Sequence, residues 1–112
     1  WTVLLSTQLS AHRQFGNMRL GSIVDGFSAA ADTATVVRAS AAYLRNQKVD
    51  LIVSNQAHAA WCAALDTCGF MRGPSNFLFA TSKALTSRLE QAGVNNDDVH
   101  MNRGDGDGPI NL

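Results

Sequence analysis

DLIVSNQAHAAWCAALDTCGFMRGPSNFLFA, residues 50–80, contains the strand–helix–strand pattern on which the fold class of this chain depends. Its short apolar opening, Asp50–Ser54, predicts a buried strand in the middle of a sheet. A helical pattern over His58–Cys68 follows and stops at Gly69, where a left-handed residue is expected. A second apolar segment, Asn76–Thr81, predicts another strand. Two strands joined by a helix predict parallel neighbours in an α/β sheet.

One face of the predicted helix over residues 58–68 is apolar and should pack on the core. The two cysteines, Cys62 and Cys68, are six residues apart. On one helix they would be separated by roughly 240° around the axis and could not easily bridge, so two reduced thiols are expected. The residues of the predicted buried stripe are Ala60, Trp61, Ala64, Leu65 and Cys68.

The N-terminal part predicts an antiparallel hairpin. Thr2–Gln8 and Met18–Asp25 have strand composition, and the polar stretch Ser10–Asn17 should connect them. Strict alternation along the second strand would place Ile23 and Asp25 on the same face. Gly21 inside that strand indicates a bulge or a close backbone approach.

Helical periodicity accounts for two further segments. Asp32 is a good N-cap for a helix over Thr33–Asn46, and Ser82 caps a shorter helix that ends at Gln91 before Gly93. Val99–Met101 predicts a short edge strand. The residues expected to face inward are Val37, Ala41 and Leu44, with Ser40 beside them, in the first helix, and Leu85 and Leu89 in the second.

These elements predict a single α/β domain over residues 1–112, with a mixed sheet flanked by helices. Its first residue is Trp1, and residues 1–5 already have the pattern of a strand interior. We therefore expect this domain to be the C-terminal portion of a longer protein. A sheet edge exposed at that position would favour a homodimer.

The composition of the chain limits the classes of partner that are expected. Hydrophobic residues make up 46% of the chain and charged residues 16%, with nine basic and nine acidic side chains. Without a basic surplus, nucleic acid is not an expected partner. No apolar run reaches the roughly 20 residues of a membrane span, so no membrane partner and a cytoplasmic location are expected. The acidic stretch 105–108 lacks the rest of a calcium loop, and no Cys/His spacing fits zinc, so no metal is expected.

The order of elements resembles the second half of the GCN5-related N-acetyltransferase superfamily. Met18–Asp25 corresponds to its long strand, Thr33–Asn46 to its pyrophosphate helix, Asp50–Ser54 to its splayed strand, and Gly69-Phe70 to the end of its second helix. The resemblance implies an acyl-CoA N-acyltransferase-like fold, present in part. It also implies transfer of an acyl or aminoacyl group from a thioester or ester donor to an amine-bearing substrate or other small molecule.

The resemblance also implies a cleft between the strands that end at Asp25 and Ser54. Asp25 or His58 would deprotonate the amine, although a turn-forming Asp25 and an exposed first-turn His58 are the simpler readings. Arg103 and Asp105, in a tail that could equally be solvated, would contact the substrate. Acetyl-CoA or another acyl-CoA would be held by Ala31, Asp32, Thr33 and Asn55, the last of which could instead cap a helix.

Two departures from the family pattern support an alternative. The stretch 25–33 contains one glycine and no basic residue, where the family has a phosphate-binding loop. Leu65 stands where many members have a proton-donating tyrosine. The alternative is a non-catalytic binding module on the same fold. A flavodoxin-like regulatory domain fits less well, because the chain opens with a hairpin.

Overall fold

The fold is α/β with a mixed sheet, as predicted, and the described residues contribute three strands to that sheet. The structure, a computed structural model, describes residues 1–73, 81–95 and 98–102. Strands β1 (Thr2–His12) and β2 (Gly16–Gly26) pair antiparallel, and β3 (Leu51–Ser54) pairs parallel to β2. The sheet order β1-β2-β3 therefore places β2 at the centre of the described sheet.

The described residues form three α-helices: α1 (Thr33–Asn46), α2 (Ala59–Thr67) and α3 (Lys83–Gln91). Helix α1 begins and ends at the predicted residues. The prediction that Asp32 caps it is wrong, because the Asp32 side chain makes no capping hydrogen bond. Asp32 instead ends a 3₁₀ turn, Ala30–Asp32, and has helical backbone angles rather than the extended ones of a typical N-cap.

The hairpin is longer than predicted, so most of the expected connection over residues 10–17 belongs to the strands. A tight turn suffices because His12 Nδ1 accepts hydrogen bonds from the backbone N–H groups of Gln14 and Phe15, each at 3.3 Å. Gly16 follows with a φ of +62°, which glycine adopts without strain.

A β-bulge at Val24 changes the phase of β2. Leu4 pairs with Ile23, but Val3 pairs with Asp25, so Val24 is an extra residue in this strand. Because paired residues share a face and neighbours along a strand do not, Ile23 and Asp25 lie on opposite faces. The predicted alternation is therefore wrong from Val24 onward.

The core lies between α1, α2 and one face of the sheet. The predicted α1 stripe is confirmed, since Val37, Ser40, Ala41 and Leu44 are all buried. Gly21 allows a close approach, because a Cβ there would lie 3.1 Å from Val49 Cγ2. The central cluster consists of Ile23, Val37, Leu44, Trp61, Ala64 and Leu65.

Helix α2 ends in a Schellman motif. Phe70 N–H donates to the carbonyl of Leu65 at 3.1 Å, and Gly69 N–H donates to that of Asp66 at 3.0 Å. Gly69 has the predicted left-handed conformation, with a φ of +84°, and Phe70 packs on the core. The Gly-Phe pair thus has a complete explanation in helix termination.

Helix α3 is capped as predicted, because Ser82 Oγ accepts from Leu85 N–H at 3.2 Å. Its predicted inward residue Leu85 is nevertheless 45% exposed. The apolar stripe of this helix is only partly covered, since none of its residues is fully buried.

Strand predictions near the C-terminus and at the sheet edge need correction. Leu51 is 38% exposed, because β3 lies at an edge of the described sheet instead of its middle. Val99–Met101 forms no strand, and only an isolated bridge between Asn102 and Gln56 is present. The strand predicted over residues 76–81 lies, except for Thr81, outside the described residues. Self-association through the outer edge of β1 stays a prediction.

Cys62 and Cys68 are free thiols, as predicted. Over the described ranges, no helix has both the length and the apolar character needed to cross a bilayer.

Candidate functional site

A cleft of about 270 Å³ lies where the N-terminal ends of α1 and α2 meet the segment 98–102. The bulge and the end of β2 lead directly into it, because Phe27 and Ser28 follow Gly26 in the chain. Its position beyond the carboxyl ends of β2 and β3 is the usual ligand-binding edge of an open α/β sheet. The lining residues are Phe27, Ser28, Ala30, Thr33, His58, Ala60, Trp61, Asp98 and His100.

Asp25 forms the polar centre beside this cleft. Its Oδ1 accepts hydrogen bonds from Asn102 Nδ2 at 2.6 Å and from the Gly26 backbone N–H at 2.7 Å. His100 Nε2 lies 3.5 Å from the same oxygen. The side chains of Asp25 and His100 are 31% and 30% exposed, so the pair is only partly shielded from solvent.

This arrangement determines how the His100 ring is used. In the neutral ring one nitrogen carries the proton and the other a lone pair. A proton on Nε2, which faces the Asp25 carboxylate, leaves the lone pair on Nδ1. Within the described residues Nδ1 has no hydrogen-bond partner. His100 therefore has the form of a base oriented by a carboxylate.

His58 occupies the N-cap position of α2. Its backbone is extended, and its Nδ1 accepts a hydrogen bond from Ala60 N–H at 3.1 Å. This contact gives His58 the capping role considered for Asn55. The predicted function of His58 as a base conflicts with this geometry, because the lone pair a base needs is already engaged.

Three aromatic rings come together in the cleft. The centroid of the His100 ring lies 6.1 Å from that of His58 and 6.3 Å from that of Trp61, both in tilted arrangements. Trp61 is 3% exposed and belongs to the core, so it forms a rigid floor. The two histidines are therefore held near each other on an apolar surface.

The predicted donor-binding residues are only partly at the cleft. Thr33 lines it, is 2% exposed, and shares a hydrogen bond with Ser28 Oγ at 3.0 Å. Ala31, Asp32 and Asn55 are not among its lining residues. The N–H groups of Asp32 and Thr33 are engaged within the 3₁₀ turn, where they bond to the carbonyls of Ala29 and Ala30. They are not free to hold a diphosphate.

A third segment closes the gap between the ends of β2 and β3. Asn102 bonds to Asp25 at the end of β2 and bridges to Gln56, which follows β3. Ala57 N–H also donates to the carbonyl of Met101 at 3.3 Å. The segment 98–102 thus links the ends of β2 and β3.

Gln56 is unusual beside this segment. Its side-chain Nε2 and Oε1 are both buried and have no hydrogen-bond partner in the described part of the chain. Its backbone carbonyl, by contrast, accepts a hydrogen bond from Cys62 Sγ at 3.3 Å. An unsatisfied buried amide costs free energy, so this position is not optimised for stability alone.

Of the predicted site residues, the structure brings Asp25, His58 and Thr33 to the cleft or its border. Arg103 and Asp105 lie outside the described residues. The sequence predicted no role for His100 or Asn102, because both reach Asp25 across more than 70 positions, with separations of 75 and 77 residues. No local spacing could signal these contacts.

Asp98 is the acidic residue that lines the cleft itself. The pKa of Asp66 is lowered by its hydrogen bond from Arg72, but this pair lies at the end of α2 and lines no part of the cleft. Among the residues that the structure describes, no group of three His, Cys, Asp or Glu side chains could hold a metal ion.

Comparison of the chain with protein-family models, with curated proteins and with solved structures finds no match. The site geometry is therefore the basis for a functional assignment.

Proposed function

We propose that this protein transfers an acyl or aminoacyl group from a thioester or ester donor to an amine, with His100 as the general base. The observation that carries the proposal is the Asp25–His100 pair, 3.5 Å apart at the border of the cleft. A carboxylate that orients an imidazole and stabilises its protonated form is a common device for activating a nucleophile.

Asp25 then has an orienting role instead of the predicted role of base. Its Oδ1 is held by Asn102 Nδ2 and by Gly26 N–H, which fixes the carboxylate against β2. His100 takes the proton of the attacking amine at Nδ1, while its Nε2 lies 3.5 Å from Asp25 Oδ1. Deprotonation makes the amine nucleophilic.

The strand arrangement also supports an acyltransferase. Strand β3 pairs with β2 along its whole length, Leu51 to Ser54, and β2 continues beyond Ile23. A helix that joins two parallel neighbouring strands, followed by a second helix, is the order that the family resemblance implies. The support is topological, and it comes from β2, α1, β3 and α2 together.

The proposed donor is not held through a diphosphate at α1. The stretch 25–33 has no basic residue, and the N–H groups of Asp32 and Thr33 are engaged. These residues do not fit the pyrophosphate of CoA. A cleft of about 270 Å³ is slightly smaller than the roughly 300–1,000 Å³ of typical small-molecule sites, and it has room for an acyl group and an amine. The rest of the donor would lie outside it.

The test is amide formation from a short thioester, S-acetyl-N-acetylcysteamine, and from acetyl-CoA, each offered with a panel of amines and followed by mass spectrometry. Asp25→Asn and His100→Gln should each lower kcat/KM by about 100- to 10,000-fold, which is the usual range for a lost acid–base group. His12→Gln is the control for loss of a histidine away from the cleft, at the hairpin end of β1, and its melting temperature is measured with its rate because His12 Nδ1 accepts hydrogen bonds in the hairpin turn. Unchanged rates in both site variants would refute the proposal.

A non-catalytic binding module is the second candidate. The observation that favours it is the segment 98–102, which fills the gap between the ends of β2 and β3 through Asn102. Thermal melting with and without millimolar acetyl-CoA shows whether the native protein binds this donor. A ligand at a hundredfold excess over its Kd stabilises the native state by about 2.7 kcal/mol. No shift, together with no amide formation from either donor, would favour the binding module.

A further inference from the structure

We infer that His58 donates a hydrogen bond from Nε2–H to the carbonyl oxygen of the acyl group, an inference that rests on the proposed acyl transfer. The starting observation is the cap of α2, in which His58 Nδ1 accepts from Ala60 N–H at 3.1 Å. An acceptor nitrogen carries no proton. Neutral His58 therefore has its proton on Nε2.

This nitrogen is available to a ligand. His58 lines the cleft and is half-buried, and within the described residues Nε2 has no hydrogen-bond partner. The cap holds the ring in place, since the side chain that lines the cleft also accepts the capping hydrogen bond at the N-terminus of α2. A donor held in place before the substrate arrives costs no reorganisation during the reaction.

The two histidines have complementary roles. His100 presents a lone pair at Nδ1, and His58 presents a proton at Nε2, with the ring centroids 6.1 Å apart. A carbonyl under attack by an amine needs both groups, because a proton leaves the nitrogen while negative charge develops on the oxygen. The pair therefore matches the polarity of acyl transfer to an amine, and a lone base would not.

Acyl transfer by these two histidines proceeds through a tetrahedral intermediate. The amine nitrogen attacks the carbonyl carbon, its proton passes to His100 Nδ1, and the carbonyl π electrons move to the oxygen. That oxyanion accepts the hydrogen bond from His58 Nε2–H. When the tetrahedral intermediate collapses, the carbon–sulfur or carbon–oxygen bond breaks. The departing thiolate or alkoxide takes the proton from protonated His100, which regenerates the neutral base.

Two substitutions distinguish the catalytic role of His58 from its role as the N-cap of α2. Asparagine also caps helices well, so His58→Asn should keep the melting temperature while it removes Nε2–H. His58→Ala should lower both melting temperature and activity. With S-acetyl-N-acetylcysteamine, His58→Asn should lower kcat by about 100- to 1,000-fold with little change in KM, as expected for a lost oxyanion donor. A wild-type kcat in a folded His58→Asn variant would overturn the inference.

A second readout does not depend on turnover. Nitrogen NMR of ¹⁵N-histidine-labelled protein, under conditions where the imidazole is neutral, should show His58 with a bare Nδ1 and a protonated Nε2. Acetate, used as a carbonyl-oxygen probe, should shift the Nε2 resonance and leave that of His12 unchanged. A protonated Nδ1, or no shift of Nε2 with acetate, would overturn the inference.

Failure of the proposed function would give different results from failure of the inference about His58. If Asp25→Asn and His100→Gln keep full activity, the assignment of the base fails, while the His58 tautomer and acetate response still decide whether His58 is a donor. If those variants lose activity and His58→Asn does not, acyl transfer stands and the inference on His58 is refuted.

Discussion

Gly26, at the end of β2, lies directly against the indole of Trp61 in α2. A Cβ at Gly26 would meet Trp61 Cη2 in a severe overlap and would lie 2.9 Å from both Thr2 Cγ2 and Trp61 Cζ2. Trp61 cannot move away easily, because it is 3% exposed and packed in the core. The absence of a side chain at Gly26 thus sets the distance between the sheet and the floor of the cleft.

Gly26→Ala should therefore destabilise the protein by about 1–3 kcal/mol, the usual cost of overpacking. Chemical denaturation monitored by tryptophan fluorescence measures it. Gly73→Ala is the control, since a Cβ at Gly73 meets nothing within 4 Å and this residue has no positive φ. Equal stability of the two variants would show that the sheet and α2 are less closely packed than described.

Leu44→Ala should cost about 2–5 kcal/mol of unfolding free energy, because it leaves a cavity in the core. Leu44 is 1% exposed and belongs to the central cluster. Its neighbour Tyr43 is 57% exposed, so Tyr43→Ala should change stability by no more than about 0.5 kcal/mol. A larger loss for Tyr43→Ala than for Leu44→Ala would mean that α1 presents a different face to the sheet.

Gln56→Met should raise stability by about 1 kcal/mol. The substitution keeps the shape of the side chain and removes two buried polar atoms that lack partners in the described structure. Gln91→Met, on the exposed end of α3, is the matched control and should be close to neutral. A clear loss of stability for Gln56→Met would indicate that a buried water or a ligand satisfies this amide.

The Asp66–Arg72 pair predicts a dependence of stability on acid. Arg72 donates to both carboxylate oxygens of Asp66, with Nη2 2.7 Å from Oδ2, and this hydrogen bonding lowers the pKa of Asp66 below its ordinary value of 3.8. A carboxylate whose pKa is lowered by folding stabilises the native state above its unfolded pKa. That stabilisation is lost as the pH falls through the folded pKa.

Arg72→Ala should remove this acid dependence. Melting temperatures of wild type and variant, measured from about pH 6 to about pH 2 at low salt, should differ at the upper end and converge at the lower end. The difference should be small, because the side chains of Asp66 and Arg72 are 45% and 73% exposed, and salt should reduce it further. Parallel curves over the whole range would contradict the assignment.

Local patterns predicted the elements whose causes are local. Helix α1 was located to the residue, because its apolar stripe at helical spacing matches the face that the sheet covers. Gly69 and Gly93 mark helix ends because both adopt left-handed angles there, with φ of +84° and +68°. The same local chemistry explains Gly69-Phe70, one of the segments on which the family resemblance rests.

Errors arose where neighbours along the chain do not decide the outcome. The bulge at Val24 follows from the pairing of β1 with β2, and composition alone does not reveal it. Leu85 has an inward position by periodicity but is exposed, since periodicity does not show which neighbour is present. Asp32 has the composition of an N-cap, yet the 3₁₀ turn before α1 changes its backbone angles.

The sequence by itself determined the class of the fold, because hydrophobic periodicity and helix-ending glycines act over a few residues. It also marked Asp25, His58 and Thr33. Only the tertiary structure decided which side chains meet at the cleft. His100 reaches Asp25 across 75 residues, and the phase of β2 that presents Asp25 depends on a bulge formed with another strand. Contacts between distant segments depend on packing, and no local spacing encodes them.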